Sequence, residues 1–171
     1  INEKTKAVFA ELIGNAGLSS LVDALVQEDY PLTRLYLSGN FFDANAADAL
    51  GKLIRGNRHL QEIYLSVNRL GDAGATAIAA AMEINRELKV LSLASNGIGP
   101  LGAEALCHSL EGHPHLQFLD LGYARSTKVL GGSANQLGDT GAKFVAALIR
   151  SNPSLLHLDI RKNGMGIRGL K

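Results

Sequence analysis

A short motif, two apolar residues in alternation followed three positions later by Asn, recurs along the chain at almost constant intervals. The asparagines stand at positions 40, 68, 96, 135 and 163, so successive members are 28, 28, 39 and 28 residues apart. The longer interval equals one period plus 11 residues and contains the segment 123–134. A period of this length predicts stacked units, because one unit alone cannot bury its apolar face.

Each unit combines two hydrophobic periods. Leu91 and Leu93 alternate with polar or small residues, which is typical of a strand, whereas Ile78, Ala81 and Met82 follow the spacing of one helix face. Gly stands three residues after the Asn in three units, and Gly-Ala follows three residues later. The pattern therefore predicts strand, turn, helix and return loop in every unit.

This pattern over residues 32–171 resembles the leucine-rich repeat family, in particular its ribonuclease-inhibitor-like branch. NOD-like receptors, the Ran GTPase-activating protein and tropomodulin carry related repeats. The resemblance implies an α/β solenoid shaped like a horseshoe, with a parallel sheet on the concave face and helices on the convex face. It also implies a module that binds proteins and performs no catalysis.

The repeated asparagines are interpreted as structural. Their amides are expected to bond backbone groups where the chain leaves each strand, so that they form a ladder along the solenoid. The predicted ladder consists of Asn40, Asn68, Asn96, Asn135 and Asn163.

The two ends of the chain differ from the repeats. Residues 1–31 are predicted to be a helical cap followed by a truncated first repeat, with Val8, Phe9, Leu12 and Ile13 on one helix face and a second helix over Leu18–Gln27. Residues 32–171 are assigned to repeats, with an insertion at about 123–134 and an incomplete last repeat. The uncapped C-terminal end predicts either a further domain or self-association.

Candidate binding residues follow from counting along the strands, because residues between the leucines face away from the helices. Aromatic, Arg and acidic residues at such positions favour a protein interface, although tolerated surface residues remain an alternative. The insertion contributes Tyr123, Arg125 and Lys128. The predicted concave partner-binding residues are Arg34, Tyr36, Glu62, Tyr64, Phe118, Asp120, His157, Asp159 and Arg161.

Charge and composition exclude several other classes of function. The net charge of +1 and the scattered basic residues argue against nucleic-acid binding, and no apolar run approaches the roughly 20 residues of a membrane helix. Cys107 is the only cysteine, which excludes an internal disulfide and favours a cytoplasmic location. His113 and His115 lack a second cluster of ligands, so no metal or cofactor is expected.

The leading hypothesis is a non-catalytic protein-interaction module that presents its concave face to a protein partner. One alternative is a regulator of an enzyme, such as a GTPase-activating module acting through Arg69 or Arg125, by similarity to the Ran GTPase-activating family. Another is a structural or self-associating segment of a larger protein, either a receptor or a bacterial effector delivered into a host cell.

Overall fold

Six parallel strands and five α-helices alternate along the chain in the computed structural model, which describes residues 7–9, 13–28 and 30–166. The strands are β1 Ala7–Phe9, β2 Arg34–Tyr36, β3 Glu62–Tyr64, β4 Val90–Ser92, β5 Phe118–Asp120 and β6 His157–Asp159. The helices are α1 Gly14–Gln27, α2 Ala47–Gly56, α3 Gly71–Met82, α4 Pro100–Leu110 and α5 Gly138–Ser151, and a 3₁₀ turn at Ala44–Ala46 precedes α2. We number the repeats 1 to 6 by their strands.

The sheet follows chain order from β1 to β6, and every neighbouring pair is parallel. The central residues of strands β2 to β5 point toward the helices, where Leu35, Ile63, Leu91 and Leu119 are fully buried. The residues on either side point to the opposite face of the sheet. The predicted leucine-rich-repeat solenoid is therefore confirmed.

One apolar core runs between the sheet and the helices. The third motif position supplies Leu37, Leu65 and Leu93, and the helices supply side chains such as Ile78 and Leu106. Cys107 is packed in the same layer, and burial raises the pKa of its thiol to about 12. The thiol is thus neutral and enclosed, as expected for a small helix residue facing the core.

The N-terminal prediction needs a correction. Ala7–Phe9 forms strand β1 and pairs with β2, with Ala7 opposite Arg34, so the helix predicted over residues 1–14 is wrong at these positions. The apolar spacing fits a helix face, but a strand here gains main-chain hydrogen bonds from the sheet edge. Residues 1–6 and 10–12, including Leu12, lie outside the described residues. The helix predicted over Leu18–Gln27 is confirmed as part of α1, and the domain boundary at residue 31 stays a prediction.

The repeated asparagines join neighbouring repeats through their side-chain amides. Asn68 Oδ1 accepts the backbone N–H groups of Asn40 and Phe42, each at 3.0 Å. Asn68 Nδ2 donates to the carbonyl oxygens of Leu37 and Leu65 at 3.1 and 2.8 Å. One buried side chain therefore satisfies four backbone groups at the point where the chain leaves the sheet.

The ladder is not uniform along its length. Asn135 accepts the N–H groups of Asn96 and Ile98 at 2.9 and 3.0 Å, and Asn68 makes the equivalent bonds two repeats earlier. Asn96 and Asn163 donate to carbonyl groups, but their Oδ1 atoms have no hydrogen-bond partner among the described residues. The contribution of each asparagine to stability should differ accordingly.

A second ladder, which the sequence analysis did not identify, lies in the return loops after the helices. Asn85 Oδ1 accepts the N–H groups of Glu87 and Leu88, each at 2.9 Å, and Asn85 Nδ2 donates to Ile54 of the preceding repeat at 2.7 Å. Asn57 and Asn152 make the equivalent bonds. The 28-residue spacing between Asn57 and Asn85 in the sequence could have indicated this second ladder.

His113 occupies the same position in repeat 4. Its Nδ1 accepts the N–H of Leu116 at 3.1 Å, so its Nε2 carries the proton and donates to the carbonyl of Asn85 at 2.9 Å. The side chain is fully buried, and this burial lowers the pKa of His113. The neutral imidazole thus replaces an Asn by offering one acceptor and one donor.

Replacing Asn68 by Ala is expected to lower the free energy of unfolding by about 3 kcal/mol, because four buried hydrogen bonds are removed, including those to the N–H groups of Asn40 and Phe42. Asn96→Ala should cost about half as much, since its Oδ1 accepts no hydrogen bond. Urea unfolding followed by circular dichroism measures both values. Equal losses for the two variants would contradict the unequal ladder.

His113→Asn is expected to flatten the dependence of stability on pH. The folded state disfavours the protonated imidazole, whereas the unfolded chain binds the proton freely. The wild type therefore has its full stability above the unfolded pKa and loses it as the pH falls from about 7.5 to 5.5. Melting temperatures over this range should fall less in His113→Asn, whereas His157→Asn, which changes an exposed histidine, should follow the wild type.

Candidate protein-binding surface

The predicted concave residues form continuous columns across the sheet. The strand registers align Arg34, Glu62, Val90, Phe118 and His157. The same registers align Tyr36, Tyr64, Ser92, Asp120 and Asp159. The backbone pairing continues beyond the strands, since Gly39 N donates to Ser66 O and Ser95 N donates to Gly122 O. The sequence positions chosen by counting are thus neighbours in space, and their role in binding stays a prediction.

The first half of this surface is an aromatic patch, which we define as Arg34, Tyr36, Glu62 and Tyr64. The rings of Tyr36 and Tyr64 are stacked, with centroids 4.6 Å apart and planes within 1° of parallel. Arg34 Nε donates to Glu62 Oε1 at 2.8 Å, and the hydroxyl of Tyr64 donates to Glu62 Oε2 at 2.9 Å. The patch is therefore assembled before any partner arrives.

The aromatic patch carries almost no net charge. Burial, followed by the contact with Glu62, raises the pKa of Tyr64 to about 12, so its hydroxyl remains protonated at neutral pH. The hydrogen bond to Glu62 also raises the pKa of Arg34. One guanidinium and one carboxylate offset each other beside two aromatic rings. Such a surface offers apolar area with a small, fixed set of polar groups.

A chain of hydroxyl groups connects the two halves of the surface. Ser92 Oγ donates to Asp120 Oδ2 at 2.9 Å. Ser92 has one hydroxyl hydrogen, so the 2.7 Å bond between Ser66 Oγ and Ser92 Oγ uses Ser66 as the donor. Asp120 also accepts the N–H of Gly122 at 2.9 Å. These bonds fix the orientation of the polar side chains between the two halves of the surface. The bonded side chains in this region are small and polar.

The second half is a charged patch, which we define as Asp120, His157, Asp159 and Arg161. Arg161 binds Asp159 with both ends of its guanidinium: Nε lies 3.0 Å from Oδ1 and Nη2 lies 2.5 Å from Oδ2. The hydrogen bond from Arg161 lowers the pKa of Asp159. Phe118 borders the patch, with its ring 6.1 Å from the imidazole of His157.

The insertion is anchored to the turns of the preceding repeats. Thr127 is buried, and its hydroxyl contacts Ser95 Oγ at 2.6 Å and the carbonyl of Ala124 at 2.5 Å. Gly97 N donates to the carbonyl of Ser133 at 3.1 Å. The base of the insertion is therefore bonded to the strand-to-helix turn of repeat 4.

The middle of the insertion extends back toward repeats 2 and 3. A Cβ placed on Gly39 would lie 3.2 Å from Leu130 Cδ1, and one placed on Gly132 would lie 2.8 Å from Val67 Cγ1. Arg69 Nη2 donates to the carbonyl of Gly131 at 3.4 Å. The insertion thus lies along the rim of the sheet across three repeats.

The predicted insertion residues are divided between two environments. Lys128 and the neighbouring Val129 are exposed, and 86% of Val129 is accessible to solvent. Tyr123 and Arg125 stand at the base, beside the last described turn of the chain. The insertion therefore offers both an outward tip and a basic border to the charged patch.

The residues considered for other chemistry have structural contacts. His115 Nδ1 lies 2.6 Å from the carbonyl of Arg86, and the guanidinium of Arg69 lies 5.0 Å from the ring centroid of Phe41. Within the described ranges, no group of three or more His, Cys, Asp or Glu residues could hold a metal ion. The described helices include none that is long and apolar enough to cross a membrane.

Comparison with known proteins agrees with this architecture. The family model described as Leucine Rich repeat matches residues 56–79, 85–107 and 151–171. No curated protein matches the chain. The repeated units, the parallel sheet and the three matched segments show that the chain has a leucine-rich-repeat fold. The ribonuclease-inhibitor-like subfamily stays a prediction.

Solved structures share the fold at low sequence identity. A structure titled Leiomodin-1 Actin-Binding Site 2 is 22% identical, has a TM-score of 0.61, and covers 82% of this chain and 77% of its own. The tropomodulin C-terminal domain of Caenorhabditis elegans is 11% identical, has the same TM-score of 0.61, and covers 87% of each chain. At these identities the likeness concerns the fold.

Thr127→Val is expected to loosen the insertion, because it removes the hydroxyl bonds to Ser95 and Ala124 while preserving the shape of the side chain. A loss of about 1 kcal/mol predicts roughly fivefold faster tryptic cleavage after Arg125 or Lys128. Mass spectrometry of timed digests measures the rate. Ser126→Ala, which changes an exposed neighbour, should leave it unchanged; an unaltered rate in Thr127→Val would contradict the anchoring role.

Proposed function

We propose that this protein is a non-catalytic interaction module that binds a protein partner on its concave face. The observation that carries the proposal is the stacked pair Tyr36 and Tyr64 on a strand face where core packing requires no aromatic residue. Aromatic side chains on rigid elements are frequent anchors of protein interfaces, because little conformational entropy is lost when they are buried.

The polar contacts around the tyrosines support a protein partner. Glu62 fixes both Arg34 and the Tyr64 hydroxyl, so the aromatic rings can be covered without reorganising these side chains. The charges of Arg34 and Glu62 are already paired with each other, which reduces the desolvation cost of covering the patch. A nucleic acid would instead require a basic surface that follows its phosphates.

Actin is the first partner to test. The leiomodin-1 structure carries actin binding in its title, and its leucine-rich repeat fold superimposes on this chain with a TM-score of 0.61. Because the identity is 22%, this likeness motivates the choice of probe without identifying the partner.

The alternatives rest on fewer observations. A GTPase-activating role would require Arg69 to leave the ring of Phe41 and the carbonyl of Gly131, whereas Arg125 is exposed. Self-association through the last repeat is favoured by Leu156, of which 69% is exposed. A cytoplasmic location is compatible with the single buried Cys107, and we retain it as part of the proposal.

The triple variant Tyr36→Ala, Tyr64→Ala and Phe118→Ala is expected to lose at least about tenfold in affinity for the partner, because it removes the anchoring rings. Cosedimentation with actin filaments, binding to monomeric actin and affinity capture from cell extract measure the loss. The ring stacking is worth about 1 kcal/mol, so the melting temperature should fall by only a few degrees.

A control variant removes three exposed apolar side chains from other faces of the protein. Ile84→Ala, Leu101→Ala and Ile149→Ala change side chains that are 63, 69 and 58% exposed. This control should capture every protein that the wild type captures. Retention of all partners by the tyrosine variant would refute the concave site.

A further inference from the structure

A groove of about 360 Å³ lies where the insertion meets the last described turn of the chain. Its lining consists of Tyr123 and Arg125 from the base of the insertion, and of Arg161 and Lys162 from the turn after β6. The groove borders the charged patch, to which Arg161 belongs, and it is far in sequence from the aromatic patch. Two separate repeats therefore bring three cations to one opening.

The cations exceed the carboxylates that can neutralise them. Arg161 is bound to Asp159, whereas Arg125 and Lys162 form no ion pair with any other described residue. The Nζ atom of Lys162 lies 4.4 Å from the ring centroid of Tyr123, which orients the ammonium group beside the groove. Asp120 accepts hydrogen bonds from the Ser92 hydroxyl and the Gly122 N–H and also interacts electrostatically with Arg161, so Asp120 and Asp159 together offset two of the three cations.

The backbone that carries these cations is fixed. Asn163 Nδ2 donates to Leu121 O and Ile160 O at 2.8 and 2.9 Å, which anchors the turn that carries Arg161 and Lys162. On the other side, Thr127 anchors the base of the insertion through Ser95. The groove is therefore preorganised by the same contacts that hold the repeats together.

We propose that this groove binds a carboxylate side chain or terminus of an acidic protein segment. The inference rests on the proposed function and states the chemistry of the partner. Arg125 and Lys162 supply the donors, and the rings and stems of Tyr123 and Arg161 supply the walls. The concave face would then bind apolar groups at one end and an acidic group at the other.

A single carboxylate fits this site better than a polyphosphate. Asp120 and Asp159 flank the groove and would repel any chain of anionic groups continuing across the sheet, so an acidic segment can place only one carboxylate in the groove while the rest of it extends away from the sheet. Lys162 also covers one face of the Tyr123 ring, which obstructs stacking of a base on that face. The cationic field is thus confined to one opening.

The test uses fluorescein-labelled octaglutamate as the probe, with octaglutamine as its neutral counterpart, and measures fluorescence anisotropy at low ionic strength. The wild type should bind octaglutamate and not octaglutamine. The double variant Arg125→Glu and Lys162→Glu should bind octaglutamate roughly tenfold more weakly. The absence of octaglutamate binding by the wild type would overturn the proposal.

The control variant Lys143→Glu and Arg150→Glu makes the same change in net charge at exposed positions of α5. It should retain wild-type affinity; an equal loss would overturn the proposal by showing that only net charge matters. If oligothymidylate bound the wild type more tightly than octaglutamate does, and the groove variant lost this binding, the proposal would be overturned in favour of a phosphate site.

The variant Tyr36→Ala and Tyr64→Ala separates this proposal from the wider function. It should bind octaglutamate as the wild type does, because neither tyrosine lines the groove. Failure of the groove variant to weaken octaglutamate binding would overturn the groove proposal but leave the concave site standing, since that site is tested by partner capture. Loss of octaglutamate binding in the tyrosine variant would overturn the assignment to the groove.

Discussion

The asparagine in the turn that follows each of strands β2 to β6 is the contact on which the stack depends. At Asn68 one side chain bonds two N–H groups of the preceding repeat and two carbonyl groups, all at a depth where water cannot replace it. The chain must turn away from the sheet at that residue for the amide to reach both repeats. The hydrogen bonds therefore fix the register of the sheet, and the register fixes which side chains become neighbours on the concave face.

The asparagine of the return-loop ladder can be replaced only by a residue that supplies the same hydrogen-bond donor and acceptor. In the return-loop ladder, His113 replaces Asn and keeps one acceptor and one donor, but only while its imidazole is neutral. The pKa of His113 is lowered because its imidazole is buried at a position where the other return loops have an uncharged amide. The stack thereby gains a sensitivity to acid at one return loop, which the asparagines at the equivalent positions do not share.

The 28-residue repeat period predicted most of the fold, because the same pattern recurs in each unit and an assignment made in one unit can be checked in the next. Counting from Leu35 and Leu91 gave the buried strand positions and the columns that contain Tyr36 and Tyr64. Strand β1 was missed because it is followed by Ile13 where the repeats have Asn, and because its apolar spacing also fits a helix. The path of the insertion was unpredictable because a segment without a repeat has no register; its contacts with Gly39 and Arg69 depend on tertiary packing alone.

Residues that are the same in every repeat serve the scaffold, so specificity must come from positions where the repeats differ. Repeat 4 presents Val90 and Ser92 on the concave face, whereas repeats 2 and 3 present stacked tyrosines. Repeats 5 and 6 present acidic residues beside a basic groove. The surface therefore has unlike ends: a neutral aromatic end and a charged end. A partner with the matching asymmetry can dock in only one direction along the sheet, because reversing it would place its acidic group against the paired Arg34 and Glu62 and leave the groove empty.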